Sequence, residues 1–334
     1  MASTANLTQS NSRRPCISFE LMPPRNPDAA PKFWTTATKL IATKPDFISV
    51  TYGAAGKDRD TARTVVSRIA KYTPTVPIAH LTCVGANTER LTAIVNEFLD
   101  EGIRSFLALR GDPPVNYPDW KPDAASLGSS DALISLIKEI EAQRCNAHPG
   151  DALRGTARPL TIVVAAFPGG NAAAGTTRAQ EVQRLFEKQQ AGAHFAITQL
   201  FYEPETYIDF VADARAAGVH IPIVAGVLPF TEPHRLRRTE SLMGIKPPAR
   251  LVEKLESFSS EQAQFEFGIE ASVEFAQSVL AAGAPGLHIY TFNKYQAALS
   301  LLSGLGLDRG QEESDIHLPD LSQGPWVQGV VTPA

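Results

Sequence analysis

Polar residues set inside or at the ends of short apolar runs are where this sequence can do chemistry. Glu20 interrupts ISFELM (17–22), Thr51 closes DFISVT (46–51), and His80 sits within PIAHLTC (77–83). Arg110, Gly111 and Asp112 follow RSFLAL (104–109), Gln199 lies in FAITQL (195–200), and Lys294 stands just beyond LHIYTF (287–292). A carboxyl held among apolar neighbours is pushed towards its protonated form, as a general acid requires. Glu20 could equally be a carboxylate paired to a nearby cation such as Arg25. His80 is alone on its strand, and a lone strand histidine is more often a hydrogen-bonded core residue than a catalyst. No other His, Asp or Glu has the spacing to build a metal site with it, so no metal is expected. Arg110 and Asp112 flank a glycine, offering a fixed cation and a fixed anion where a ligand can approach the backbone. Arginine suits a phosphate or a flavin edge and aspartate the donor edge of a pterin or purine, although the two could simply pair across a turn. Gln199 donates and accepts at once, which suits a heterocyclic amide, but by itself such a residue is more often structural. Gly169-Gly170-Asn171 is a weak nucleotide-type motif, usually just a turn. Phe201, Tyr202 and Phe230 could stack on a ring or fill core.

The elements that must position these groups are eight apolar runs alternating with amphipathic segments. Besides those above, the runs include LTIVVAAF (160–167) and IPIVAGVL (221–228). Helical patterns fall at about 31–43, 59–72, 87–101, 129–143, 177–191, 204–217, 233–282 in pieces, and 294–304. Near-continuous apolar strands imply burial on both faces and hence a parallel sheet. Eight β–α pairs favour a single-domain (β/α)8 TIM barrel over an open doubly wound sheet, with its chemistry at the carboxyl ends of the strands. No strand contains a lysine, which disfavours a Schiff-base aldolase. Thr177 with Gln180 reads as a capping box, and Gly102, Gly192 and Gly218 sit where helices should stop. Residues 113–128 are expected to form a lid-like loop, and 144–159 a neutral loop insertion at the opposite end. The organisation expected is a flexible segment over 1–15, a catalytic barrel over 16–306 and an extension over 307–334.

The 334 residues are 43% hydrophobic and 20% charged, enough for a large core, and the net charge of −4 gives no reason to expect nucleic acid as partner. No run reaches the ~18 apolar residues of a membrane span, and the polar first fifteen residues do not read as a secretory signal. Three dispersed cysteines, Cys16, Cys83 and Cys145, suggest neither disulfides nor zinc. A cytoplasmic enzyme acting on a small molecule is expected, with a homo-oligomer compatible with all of this.

Seven segments together resemble the methylenetetrahydrofolate reductase family: SFELMPPR (18–25), FISVTYGA (47–54), AHLTC (79–83), ALRGD (108–112), AITQLFY (196–202), AGVLP (225–229) and HIYTFN (288–293). They run in the family's order, and ALRGD with FE…PPR is the most specific part. The resemblance implies a (β/α)8 barrel binding FAD across the strand ends, reduced by NADH or NADPH before methylenetetrahydrofolate takes the hydride. Matched position by position, Glu20 becomes the general acid. Asp112 becomes the residue that contacts the pterin and influences the flavin, and Gln199 a pterin partner. Thr51, His80, Leu109, Arg110 and Gly111 match flavin contacts, and Lys188 a flavin phosphate partner. Lys294 stands where the family often has an arginine near the folate, keeping the charge and losing the planar fork. The departures are Phe167 for a usual tyrosine, Asn171-Ala172 for a His-Pro pair, Gly128 near a second tyrosine position, and Glu181 for an aspartate. They imply weaker or altered flavin binding, with direct hydride transfer from the nicotinamide, or a non-catalytic folate-binding paralogue, as alternatives. The regulatory domain of larger members is not expected here.

Overall fold

A computed structural model describes residues 14–52, 59–111 and 126–308. Asp112, most of the 113–128 segment, nearly all of the 1–15 segment and all but two residues of the 307–334 extension lie outside the described residues.

Eight strands close a parallel barrel in chain order. They are β1 (Cys16–Leu21), β2 (Phe47–Val50), β3 (Val76–Thr82), β4 (Ser105–Leu109), β5 (Thr161–Ala166), β6 (Phe195–Thr198), β7 (Ile223–Val227) and β8 (Gly286–Tyr290). Each strand lies within two residues of its expected bounds. Around them run α1 (Ala30–Ile41), α2 (Arg59–Tyr72), α3 (Thr88–Asp100), α4 (Ser130–Ala147), α5 (Pro149–Ala157) and α6 (Arg178–Ala191). The circuit is completed by α7 (Pro204–Ala216), α8 (Pro233–Met243), α9 (Ala249–Glu256), α10 (Glu261–Ala281) and α11 (Tyr295–Gly304).

Strand parity divides the core in two. Phe19, Ile48, Leu81 and Phe106 point outwards and join the layer between sheet and helices, whereas Phe47, Ile78, Leu107, Val163, Phe195 and Val224 form a separate inner cluster. Phe47 and Phe195 come from strands on opposite sides of the barrel, yet their ring centres are only 5.6 Å apart, so the lower interior is packed rather than hollow. Alternation carries the same inward direction up β1 from Cys16 through Ser18 to Glu20, and up β3 from Ile78 to His80. Apolar packing below and polar side chains above follow from the order of residues along each strand.

Helix α6 begins as expected: Thr177 Oγ1 accepts from the Gln180 N–H at 3.4 Å and Gln180 Oε1 accepts from the Thr177 N–H at 2.9 Å. Gly192 follows the last turn in the left-handed region. The expected loop at 144–159 is corrected: α4 runs on to Ala147, and α5 occupies 149–157 after a single-residue break at His148. The sequence there is polar and contains Gly150 and Gly155, which hid the helices. Pro149 starts α5 where a missing N–H costs nothing, and Asp151 bridges Arg144 and Arg154 to hold it. Among the described residues no helix is long and apolar enough to cross a membrane.

Candidate functional site

A cavity of about 560 Å³ opens at the carboxyl ends of the strands. Its wall brings together Glu20, Thr51, His80, Leu109, Arg110 and Gly111, contributed by β1 to β4 and the residues that follow them. Phe167, Gln199 and, from α6, Glu181 and Lys188 complete the set. Lys294 is not on that wall; it is exposed, and its Nζ donates to both carboxylate oxygens of Glu232 at 2.8 and 2.9 Å.

Glu20 stands in register between Ser49 of β2 and Tyr290 of β8. Burial raises its pKa to about 7, so the protonated form persists towards neutrality. The His80 Nε2 lies 3.9 Å from Glu20 Oε2. That imidazole gives no ion pair, because its own burial pushes its pKa down to about 3. No ion pair joins Glu20 to Arg25 among the described residues. His80 Nε2 is buried without a hydrogen-bond partner. Such an atom costs roughly 1–3 kcal/mol unless something pairs with it, and here it lies on a ligand-sized cavity.

Two inward residues of β8 belong to the site although sequence reasoning singled out neither. His288 lies beneath Glu20, with Nδ1 2.8 Å from Ser18 Oγ and Nε2 3.2 Å from Ser49 Oγ, stacked on Phe47 at 5.8 Å. Burial lowers its pKa to about 3, so it is a neutral spacer. Tyr290 reaches over Gly226 of β7 and donates its hydroxyl to Thr198 O, at the end of β6, at 2.7 Å. The available signal was parity: both are polar residues at inward positions of an otherwise apolar strand.

The outer end is charged. On α6, Glu181, Arg184 and Lys188 share one face at helical spacing. Glu181 is 2% exposed, meets Arg184 at 2.9 Å and also contacts Thr176 Oγ1. Lys188 is buried, and its Nζ donates to Ala165 O at 2.9 Å. Burial first, against attraction to Glu181, lowers its pKa to about 8. With exposed Arg110 these cations could hold a diphosphate. Gly111 has φ +84°, a backbone conformation that favours glycine, and a Cβ there would press on Thr82 and Val84 at 3.1 Å. Phe167 starts a turn in which its carbonyl accepts from the Gly170 N–H at 3.0 Å; Gly170 and Asn171 line the cavity. Phe201, Tyr202 and Phe230 turn away and pack with Tyr207 and Phe275, so they are core rather than a stacking surface. No group of three or more metal-ligating side chains is found among the described residues.

A 5,10-methylenetetrahydrofolate reductase of Pectobacterium carotovorum is 30% identical over 292 residues, covering 87% of this chain and 90% of its own. The Escherichia coli 5,10-methylenetetrahydrofolate reductase is 28% identical over 88% of this chain and 92% of its own. A probable methylenetetrahydrofolate reductase (NADH) of rice is 30% identical over 88% of this chain, which spans 48% of that longer protein. Among solved structures, a Clostridium thermocellum protein described as binding two copies of 5-methyl-5,6,7,8-tetrahydrofolic acid superposes with a TM-score of 0.56. It covers 90% of this chain and 95% of its own, but at 15% identity it attests the fold alone. The family described as methylenetetrahydrofolate reductase matches residues 6–306, and with nine-tenths of the chain inside that match, the protein belongs to the methylenetetrahydrofolate reductase family.

Proposed function

We propose that the chain reduces 5,10-methylenetetrahydrofolate to 5-methyltetrahydrofolate, with NADH or NADPH as donor and through bound FAD, in the cytoplasm and on the barrel of residues 16–306. The observation that carries this reading is a carboxyl whose pKa is about 7, sharing one cavity with Gln199. Reduction needs the substrate's five-membered ring opened to an iminium, and the departing amine must be protonated. Glu20, whose carboxyl pKa burial pushes up to about 7, would give that proton. Gln199 can match the donor and acceptor of the pterin amide, and Asp112, just beyond the described residues, is expected to join it.

His80 Nε2 is open for a hydrogen bond, and Lys188, Arg184 and Arg110 line the same cavity and can meet a diphosphate, so the residues present fit a flavin dinucleotide. FAD, when bound, would carry two electrons from the nicotinamide to the folate. Thr51, His80 and Leu109–Gly111 would hold its ring, and Lys188 with Arg184 its phosphates. A second reading, direct hydride transfer without flavin, draws support from the outer end. Phe167 brings no hydroxyl there, and buried Glu181 already neutralises part of the charge of Arg184.

The test is to saturate purified protein with FAD, remove the excess, and measure bound flavin together with methylenetetrahydrofolate-dependent oxidation of NADH and NADPH. Turnover by protein holding near-stoichiometric FAD is expected. Full turnover by protein that neither contains nor takes up FAD would select the direct mechanism, and no folate turnover would remove the reductase reading.

A further inference from the structure

The ladder between β6 and β7 is short, its register pairs ending at Ile197–Val224. The Ala196 N–H donates to Pro222 O, and the alternation of a parallel pair would make Gly226 N–H to Thr198 O a later rung. Instead the Gly226 N–H donates to Thr198 Oγ1 at 2.9 Å, and the Thr198 carbonyl accepts from the Tyr290 hydroxyl at 2.7 Å. Space for that hydroxyl exists because residue 226 lacks a side chain: a Cβ there would lie 2.1 Å from Thr198 O and 2.7 Å from the Tyr290 ring. The ring is steadied edge-on against His288 at 5.5 Å, and His288 is held by Ser18 and Ser49.

The Thr198 carbonyl belongs to the same peptide group as the Gln199 N–H, which donates to Ala166 O at 2.7 Å. That peptide is therefore gripped twice, by β5 through its N–H and by Tyr290 through its C=O. Gln199 is the first residue past β6 and faces the cavity, and its own Oε1 accepts from the Leu200 N–H at 2.8 Å. Burial, then the neighbouring Glu20, pushes the Tyr290 phenol's pKa up, so the hydroxyl remains a donor. We propose that Tyr290 is a positioning residue: by replacing a backbone rung between β6 and β7, its hydroxyl fixes the peptide that aims Gln199 at the folate heterocycle. The part played by folate rests on the reductase reading; the anchor itself does not.

Tyr290→Phe keeps the ring and removes only the oxygen, leaving the Thr198 carbonyl without its donor. The dissociation constant of 5-methyltetrahydrofolate, measured by calorimetry, should rise about tenfold in this variant. In a Gln199→Ala background the same change should add nothing, because the residue being aimed is gone. Amide hydrogen exchange needs no ligand and should quicken over residues 195–202 while amides of β1 and β2 keep their rates, which separates a local anchor from general destabilisation. Unchanged affinity and exchange, or a penalty that adds in full to that of Gln199→Ala, would overturn the proposal. Failure of the wild-type chain to bind the folate would count against the reductase reading, while the exchange rates would still decide for or against the anchor.

Discussion

The inner end of the cavity is made by strands and the outer end by a helix and a loop, and the two hold their polar groups in different ways. Inside, Glu20, His80, His288 and Tyr290 project from β1, β3 and β8, and both imidazoles are uncharged. Burial keeps them so and poises the carboxyl near neutrality. Outside, Glu181, Arg184 and Lys188 line one face of α6, where Arg184 pairs with Glu181 and burial, against the pull of Glu181, lowers the Lys188 pKa to about 8. Desolvation prepares the first region to handle a proton; in the second it is set against Coulomb attraction among side chains that can hold an anion. The departures that the family resemblance implies at Phe167 and Asn171 fall in the turn after β5, where a loop can change its contacts without disturbing the barrel.

The widest separation of the two ends should come from Glu20→Gln. Folate reduction should fall by ~10²–10⁴-fold, the usual share of one positioned acid, while nicotinamide oxidation with an artificial acceptor continues. Steady-state assays of both activities check this, and near-wild-type folate turnover would take Glu20 out of the mechanism. The sign of the pH dependence follows from the raised pKa. The acid is present below about 7 and is lost above it, so the folate step should slow as pH rises past neutrality.

The same carboxyl makes a stability prediction that does not depend on turnover. Its pKa is higher folded than the ordinary 4.5, so native protein binds this proton more tightly than unfolded protein does. Stability is therefore undiminished below about 4.5 and falls as pH climbs to about 7, where the cost of a buried charge is complete. Glu20→Gln should accordingly be more stable than wild type at pH 8 by on the order of 2 kcal/mol, and much less so at pH 5. Denaturant melts at the two pH values would show it; equal shifts at both would mean that the carboxyl is not desolvated.

How far these regions could be read from sequence differs for the same reason. Barrel strands are buried on both faces, so all eight stood out as apolar runs, and polar residues within them, Glu20, His80 and Gln199, marked the mouth. The roles of His288 and Tyr290 stayed hidden because their partners are remote: Ser18 is 270 residues from His288, and Thr198 is 92 from Tyr290. Closure of the barrel brings β8 to Ser18, and the strand order that sets β7 between β6 and β8 brings Tyr290 to Thr198. At the outer end no local pattern on an amphipathic helix distinguishes Lys188 or Glu181 from solvated charge, and family resemblance alone pointed to them. The helix at 149–157 was missed because ion pairs to Arg144, rather than an apolar stripe, hold it against α4.

Lys188→Met should act on the outer end alone. It removes a cation whose Nζ is already directed by Ala165 O, and FAD affinity should drop by about tenfold, the scale of one charge-assisted contact to a phosphate. Binding of 5-methyltetrahydrofolate should be unchanged. Equilibrium titration with each ligand makes the comparison, and a parallel loss of both would mean that the two ends are not separable.

The smallest effect is expected from restoring what the loop has lost. Phe167 is half-buried on the cavity wall at the end of β5, where the family usually has a tyrosine. Its backbone is already committed to the turn through the Gly170 N–H, so Phe167→Tyr adds a hydroxyl without asking the chain to move. One hydrogen bond of ordinary net worth, roughly 0.5–1.5 kcal/mol, corresponds to a gain in FAD affinity of about two- to tenfold. The inner end should not notice, so the folate dissociation constant and the pH at which folate reduction declines should stay where they are. Fluorescence titration of flavin into the two proteins measures the difference. Tighter flavin binding would identify the turn after β5 as the place where this chain weakened its hold on the cofactor. An unchanged or weaker affinity would mean that position 167 does not face the flavin, and the mode of flavin binding inferred from the family would then fail at this point.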